Sequence, residues 1–100
     1  MEISIRTPLI YSLPLSQHSG SHVWLKMESA QPTGSFKLRS AAHICRHYAA
    51  QGAKAFISSS GGNAGIAVAH SGRRLGLPVT VVVPETTSAR ARQLIEQEGA

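Results

Sequence analysis

A lysine preceded by a small residue and an aromatic stands at the head of an apolar helical pattern, Ser35-Phe36-Lys37-Leu38-Arg39, directly after Gln31-Pro32-Thr33-Gly34. An amine at a loop-to-helix junction can be pinned and partly dried, which is what a lysine needs to form a Schiff base or act as a base. The competing reading is a solvated lysine in a first helical turn. The helix dipole argues mildly against that placement, since cations are disfavoured near helix N-termini. A second stretch, Ser58-Ser59-Ser60-Gly61-Gly62-Asn63-Ala64-Gly65, lies between a strand-like run and another helical pattern. Its glycines permit close backbone approach, its Ser and Asn side chains add polar contacts, and free N–H groups at the following helix start attract a carboxylate or phosphate. A plain βα turn uses the same residue types. The loop matches neither G-x-G-x-x-G nor Walker A, since no Gly-Lys-Ser/Thr follows.

The elements that must position these groups follow from periodicity. Residues 1–20 read as an irregular arm, because Pro8 and Pro14 each restrict the residue before them. Val23-Trp24-Leu25-Lys26-Met27 reads as a short strand. From Ser35 to Tyr48 the positions Leu38, Ala41, Ala42, Ile44, Cys45 and Tyr48 recur at helical spacing, and Gln51-Gly52 supplies a stop. Ala55-Phe56-Ile57-Ser58 is a second strand, and Ala64 to Leu75 a helix ended by Gly76-Leu77-Pro78. Val79-Thr80-Val81-Val82-Val83 is near-continuously apolar, as in a strand buried on both faces of a parallel sheet. Thr87 or Ser88 can cap a last helix, Ala89 to Glu98, which stops at Gly99. The order β-α-β-α-β-α predicts an α/β fold with an open, layered parallel sheet, in which residues 21–100 form an incomplete domain behind the arm. The chain ends where a further strand is expected, so the reading is of a fragment or truncated product, marginally stable alone.

Composition excludes several classes. Of the 100 residues 42% are hydrophobic and 15% charged, which suits a globular chain with a core. No apolar run approaches the roughly 20 residues that cross a bilayer, and the first residues have no signal-peptide layout. Cys45 is the single cysteine, so a reducing, cytoplasmic setting is the simpler expectation. The net charge of +5 comes from scattered basic residues, of which only Arg73-Arg74 are adjacent, and the aromatics number five. Nucleic-acid binders cluster charge on one face and use aromatic platforms, so no nucleic-acid partner and no membrane partner are expected. His43 and His47 are spaced i, i+4, but no Glu follows His43 and Cys45 points away from the line joining them. No metal site is expected.

Taken together the motifs resemble the serine/threonine dehydratase family, in its L-serine dehydratase branch, of the fold-type II pyridoxal-phosphate enzymes. The matching pieces are Thr7-Pro8-Leu9, Lys26-Met27-Glu28, Gln31 to Arg39, Ser59 to Gly65, Leu75-Gly76-Leu77-Pro78 and Val83-Pro84-Glu85, in family order through nearly the whole chain. The resemblance implies the N-terminal region of a tryptophan-synthase-β-like fold and the cofactor pyridoxal 5'-phosphate. By the same token Lys37 forms the Schiff base and acts as the catalytic base, Phe36 lies against the cofactor ring, and Asn63 bonds its 3-hydroxyl. Ser59, Ser60, Gly61, Gly62, Asn63 and Ala64 then hold the carboxylate of a small amino-acid substrate. The activity implied is β-elimination from L-serine, giving pyruvate and ammonia, or from L-threonine, giving 2-oxobutanoate. A full-length form would be a homodimer. The family's glycine-rich phosphate loop has no counterpart within residues 1–100, so the chain alone is expected to be inactive. The competing readings are a non-catalytic, anion-binding or interacting remnant, or a related serine racemase or threonine synthase.

Overall fold

Two short sheets and a helical layer form the framework, in a computed structural model that describes residues 2–100. In chain order the elements are β1 (Leu9–Tyr11), α1 (Leu13–Ser19), β2 (Trp24–Lys26), a 3-10 turn (Glu28–Ala30), α2 (Lys37–Ala50), β3 (Phe56–Ser58), α3 (Asn63–Arg74), β4 (Val79–Val81) and α4 (Ala89–Gln97). The class is α/β, and every element read from periodicity is present within a few residues of its expected bounds.

The N-terminal arm departs from expectation. Instead of being irregular it contributes a strand and a helix. Ser12 caps α1 by accepting the Leu15 N–H at 3.3 Å, and Pro14 occupies the first turn, where its missing N–H costs nothing. Gly20, at φ 73°, closes the same helix. The two prolines thus frame β1 and start α1 rather than keeping the segment unstructured.

Strand pairing differs as well. β2 does not extend a parallel sheet. It pairs antiparallel with β1 in the register Leu9↔Lys26, Ile10↔Leu25, Tyr11↔Trp24. Parallel pairing is confined to β3 and β4, with Phe56↔Val79 and Ser58↔Val81. Nor is the valine run covered on both sides. Val79 is buried against α3, whereas Val82 is 57% and Ile57 78% exposed, so one face of the β3–β4 pair is bare among the described residues. Period-2 alternation puts Ile57, Thr80 and Val82 on that face. The molecule is accordingly a slab 17 Å thick, enough for a single helical layer on a sheet.

The core lies between α2 and α3, where Leu38, Ala41, Ala42 and Ala67 cluster with Ile3 from the arm. Small alanines let the two helices approach closely. A cleft lined by His47, Ala49, Ala50 and Leu75 shows that the C-terminal ends of α2 and α3 meet. The two helices therefore run side by side in the same sense, and their N-termini, Lys37 and Asn63, share the opposite end of the layer.

Candidate active site

The chain supplies side-chain caps to two of its α-helices and withholds them from the other two. Ser12 caps α1, and Ser88 caps α4 by accepting the Ala91 N–H at 3.1 Å. The starts of α2 and α3, behind Phe36 and Gly62, receive no side-chain cap. First-turn N–H groups left in this way favour an anion from outside the chain. These same two helices begin with Lys37 and Asn63.

Lys37 is exposed, and its Nζ stands 5.3 Å from the centroid of the Phe36 ring, itself 61% exposed. No ion pair engages Lys37 among the described residues. In the loop just before it, the hydroxyl oxygens of Thr33 and Ser35 are buried and have no hydrogen-bond partner among the described residues. Buried polar groups are normally satisfied, so two orphans in the loop that leads into Lys37 leave room for a polar ligand or water to satisfy them. A polar cofactor attached through Lys37 fits this arrangement.

The second loop follows β3. Ser59 is exposed, Ser60 and Gly61 are half-buried, and Gly62 and Asn63 are exposed. Within it the Gly62 N–H donates to Ser60 Oγ at 3.2 Å. Its shape is set by Gly65, where a Cβ would come within 1.9 Å of the Ser60 carbonyl oxygen. Only glycine lets the first turn of α3 approach that backbone so closely. Lys37 and Asn63 are brought to one end of the layer by parallel helix packing, while no hydrogen bond joins Lys37 or Phe36 to Ser59–Ala64 among the described residues. Elsewhere, His43 and His47 are exposed on α2 and Cys45 is buried between them, its thiol pushed up by that burial. No cluster of three metal-ligating side chains occurs among the described residues, and no helix is long and apolar enough to cross a membrane.

Sequence reading missed a polar network around the 28–39 segment. The Glu28 carboxylate accepts from Arg39 Nε and, at 3.1 Å, from the Arg39 terminal nitrogen. It also accepts from Thr7 Oγ1 at 2.6 Å and Gln31 Nε2 at 3.2 Å. Gln31, 3% exposed, pairs with the Ile5 backbone, accepting from its N–H at 2.9 Å and donating to its carbonyl at 2.8 Å. The hydrogen bonds from Arg39 and then Thr7 hold the Glu28 carboxyl down at about 2, against an ordinary 4.5. The same pairing raises Arg39 further. Thr7 lies 21 residues from Glu28 and 32 from Arg39, separations that no periodicity betrays. The one clue was that Thr7, Glu28, Gln31 and Arg39 all fall in the family-like motifs.

This fold, with a lysine heading one helix and a Ser/Gly/Asn loop heading the next, is the N-terminal region of a fold-type II pyridoxal-phosphate enzyme. The serine racemase of Dictyostelium discoideum superposes with a TM-score of 0.89 at 28% identity, over 97% of this chain and 32% of that one. A fungal L-serine ammonia-lyase from Rhizomucor miehei gives 0.85 at 31% identity, over 99% and 32%. The sequence model of the pyridoxal-phosphate dependent enzymes matches residues 2–100, and the chain belongs to that family. Among curated relatives, the mouse (Mus musculus) L-serine dehydratase/L-threonine deaminase is 49% identical over 98 residues, or 98% of this chain. A human (Homo sapiens) serine dehydratase-like protein is 50% identical over 94 residues, or 94% of the chain and 29% of the relative. The chain spans about 30% of the length of the mouse relative.

Proposed function

We propose that this chain supplies the lysine and the carboxylate-binding loop of an L-serine dehydratase that also accepts L-threonine and uses pyridoxal 5'-phosphate. The observation that carries the reading is the pairing of the two uncapped helix starts, Lys37 and Asn63, at one end of the layer. The 49% identity with the mouse L-serine dehydratase/L-threonine deaminase supports the choice of substrate.

Lys37 would hold the cofactor through its amine, with the Phe36 ring beside it and the Asn63 side chain directed to its ring hydroxyl. When bound, the cofactor supplies an electron sink for the pair left behind when a proton leaves Cα. Ser59, Ser60, Gly61, Gly62, Asn63 and Ala64 receive the substrate carboxylate, drawn by the N–H groups and dipole at the start of α3. The carboxylate anchor orients the Cα–H bond toward Lys37, whose Nζ takes the proton. The β-hydroxyl then leaves as water, and hydrolysis of the released enamine gives pyruvate and ammonia from serine, or 2-oxobutanoate and ammonia from threonine. A cytoplasmic setting suits the single, buried Cys45, and a homodimer for a longer form belongs to the same proposal.

The test is competition at Lys37. Chain incubated with pyridoxal phosphate and reduced with borohydride is expected to carry the label on Lys37, and prior L-serine to lower it. Asn63→Ala should weaken the serine effect. A label indifferent to L-serine and L-threonine contradicts the substrate assignment. The close superposition of the D. discoideum serine racemase favours one second reading, a racemase. Formation of D-serine by a longer form, with no 2-oxo acid, would select it.

A further inference from the structure

Among the described residues no side chain of the 32–36 loop makes a hydrogen bond that anchors Lys37. The loop's two hydroxyls, on Thr33 and Ser35, have no partners, and Phe36 is mostly exposed. What holds the lysine lies on either side of it. Upstream, Glu28 and Gln31 tie the 3-10 turn to Ile5 and Thr7 of the arm. Downstream by two residues, Arg39 reaches back from α2 to the Glu28 carboxylate through both Nε and a terminal nitrogen. Lys26 adds a hydrogen bond from Nζ to the Thr7 carbonyl at 2.7 Å, closing the network on the β2 side. Gly34, at φ 79°, lets the loop turn between the two anchors, with its N–H donating to the Gln31 carbonyl at 2.8 Å. The loop bearing Lys37 is thus a short span between two fixed points, both attached to one carboxylate.

We infer that Glu28, bound by Arg39, Thr7 and Gln31, is the positioning residue that sets where the Lys37 amine is presented. The geometry allows little else. All four donors converge on two carboxylate oxygens, so the Glu28 side chain has one orientation available. Thr7 and Gln31 are themselves buried, so they move only if the arm moves. Glu28 touches neither Lys37 nor the Ser/Gly loop, and it acts by fixing the first turn of α2. Misplacement of a reacting group by even an ångström lowers its effective concentration steeply.

The inference rests on Lys37 being the cofactor lysine, and two readouts keep the claims apart. Amide hydrogen exchange of the whole chain reads the clamp with no cofactor present. In Glu28→Gln, amides over 33–40 should exchange about tenfold faster, while those of α3 stay unchanged. Borohydride-fixed labelling by pyridoxal phosphate reads the consequence. Its maximal rate at Lys37 should fall about fivefold, with Lys26 and Lys54 unaffected and the pH at half-maximal rate unmoved. Arg39→Lys should recover part of what Arg39→Met loses, because an ammonium retains one of the two contacts. Unchanged exchange over 33–40 in a folded Glu28→Gln overturns the inference. Should that variant not fold, Thr7→Val removes one donor and keeps the ion pair, and it must show the same effects at smaller size. No change there also overturns it. A wild-type chain that labels Lys26 and Lys54 as fast as Lys37 refutes the cofactor lysine, and the exchange result alone then decides the clamp.

Discussion

The two halves of the site are built by different physics. Around Lys37 the backbone is held by side chains: Glu28, Arg39, Thr7 and Gln31 link three segments through directed hydrogen bonds. Around Asn63 it is held by the absence of side chains, as Gly65 lets α3 touch the Ser60 carbonyl and Gly72 lets the same helix press on Val79. The first arrangement leaves the lysine on a short tether that a few bonds control. The second packs the start of α3 directly on the loop backbone. A loop proposed to hold a carboxylate gains from such close packing, whereas an amine proposed to receive and release a proton gains from a tether.

Substitutions can break that contrast. The largest effect is expected from Gly65→Ala, because its Cβ would meet backbone oxygen at 1.9 Å. We expect a loss of about 3 kcal/mol or more by denaturant titration. Gly72→Ala meets Cγ2 of the buried, β-branched Val79 at 2.1 Å and the Leu77 carbonyl at 3.2 Å, so a loss of about 1–3 kcal/mol is expected in the same assay. Ser88→Ala removes the cap of α4 and should cost about 1 kcal/mol. The smallest effect concerns acid. With its carboxyl held at about 2 in the fold and 4.5 ordinarily, Glu28 contributes stability that is fully present above 4.5. That contribution is lost as pH falls from 4.5 toward 2. Arg39 is 43% exposed, so solvent screening keeps the loss small. Melting temperatures across that window should fall in the wild type and fall less in Glu28→Gln.

Much of this contrast was legible in the chain. Gly52, Gly76 and Gly99 follow their helices with positive φ, as terminators should, and the helix starts at Lys37 and Asn63 lie within two residues of expectation. Local chemistry writes such features into adjacent residues. The antiparallel β1–β2 pair and the bonds linking Glu28 to Thr7, 21 residues away, and Arg39, 11 residues away, join separate segments, and no spacing rule reports them. Ser12-Leu13-Pro14 does carry a local sign of α1, a capping serine with proline in the first turn, but the restriction that Pro14 places on Leu13 points instead to an extended arm. The valine run at 79–83 misled for the converse reason. Apolar content predicts burial on both faces only where something covers both, and Val82 is open.

The central claim is that Lys37, alone among the three lysines at 26, 37 and 54, is the one the fold prepares for a cofactor. Its most direct test is peptide mapping after pyridoxal phosphate and borohydride, on the wild type and on Lys37→Ala. The account predicts a phosphopyridoxyl mass on the Lys37 peptide at stoichiometric reagent, lost in a Lys37→Ala chain that still folds. Equal labelling of Lys26, Lys37 and Lys54 would contradict it.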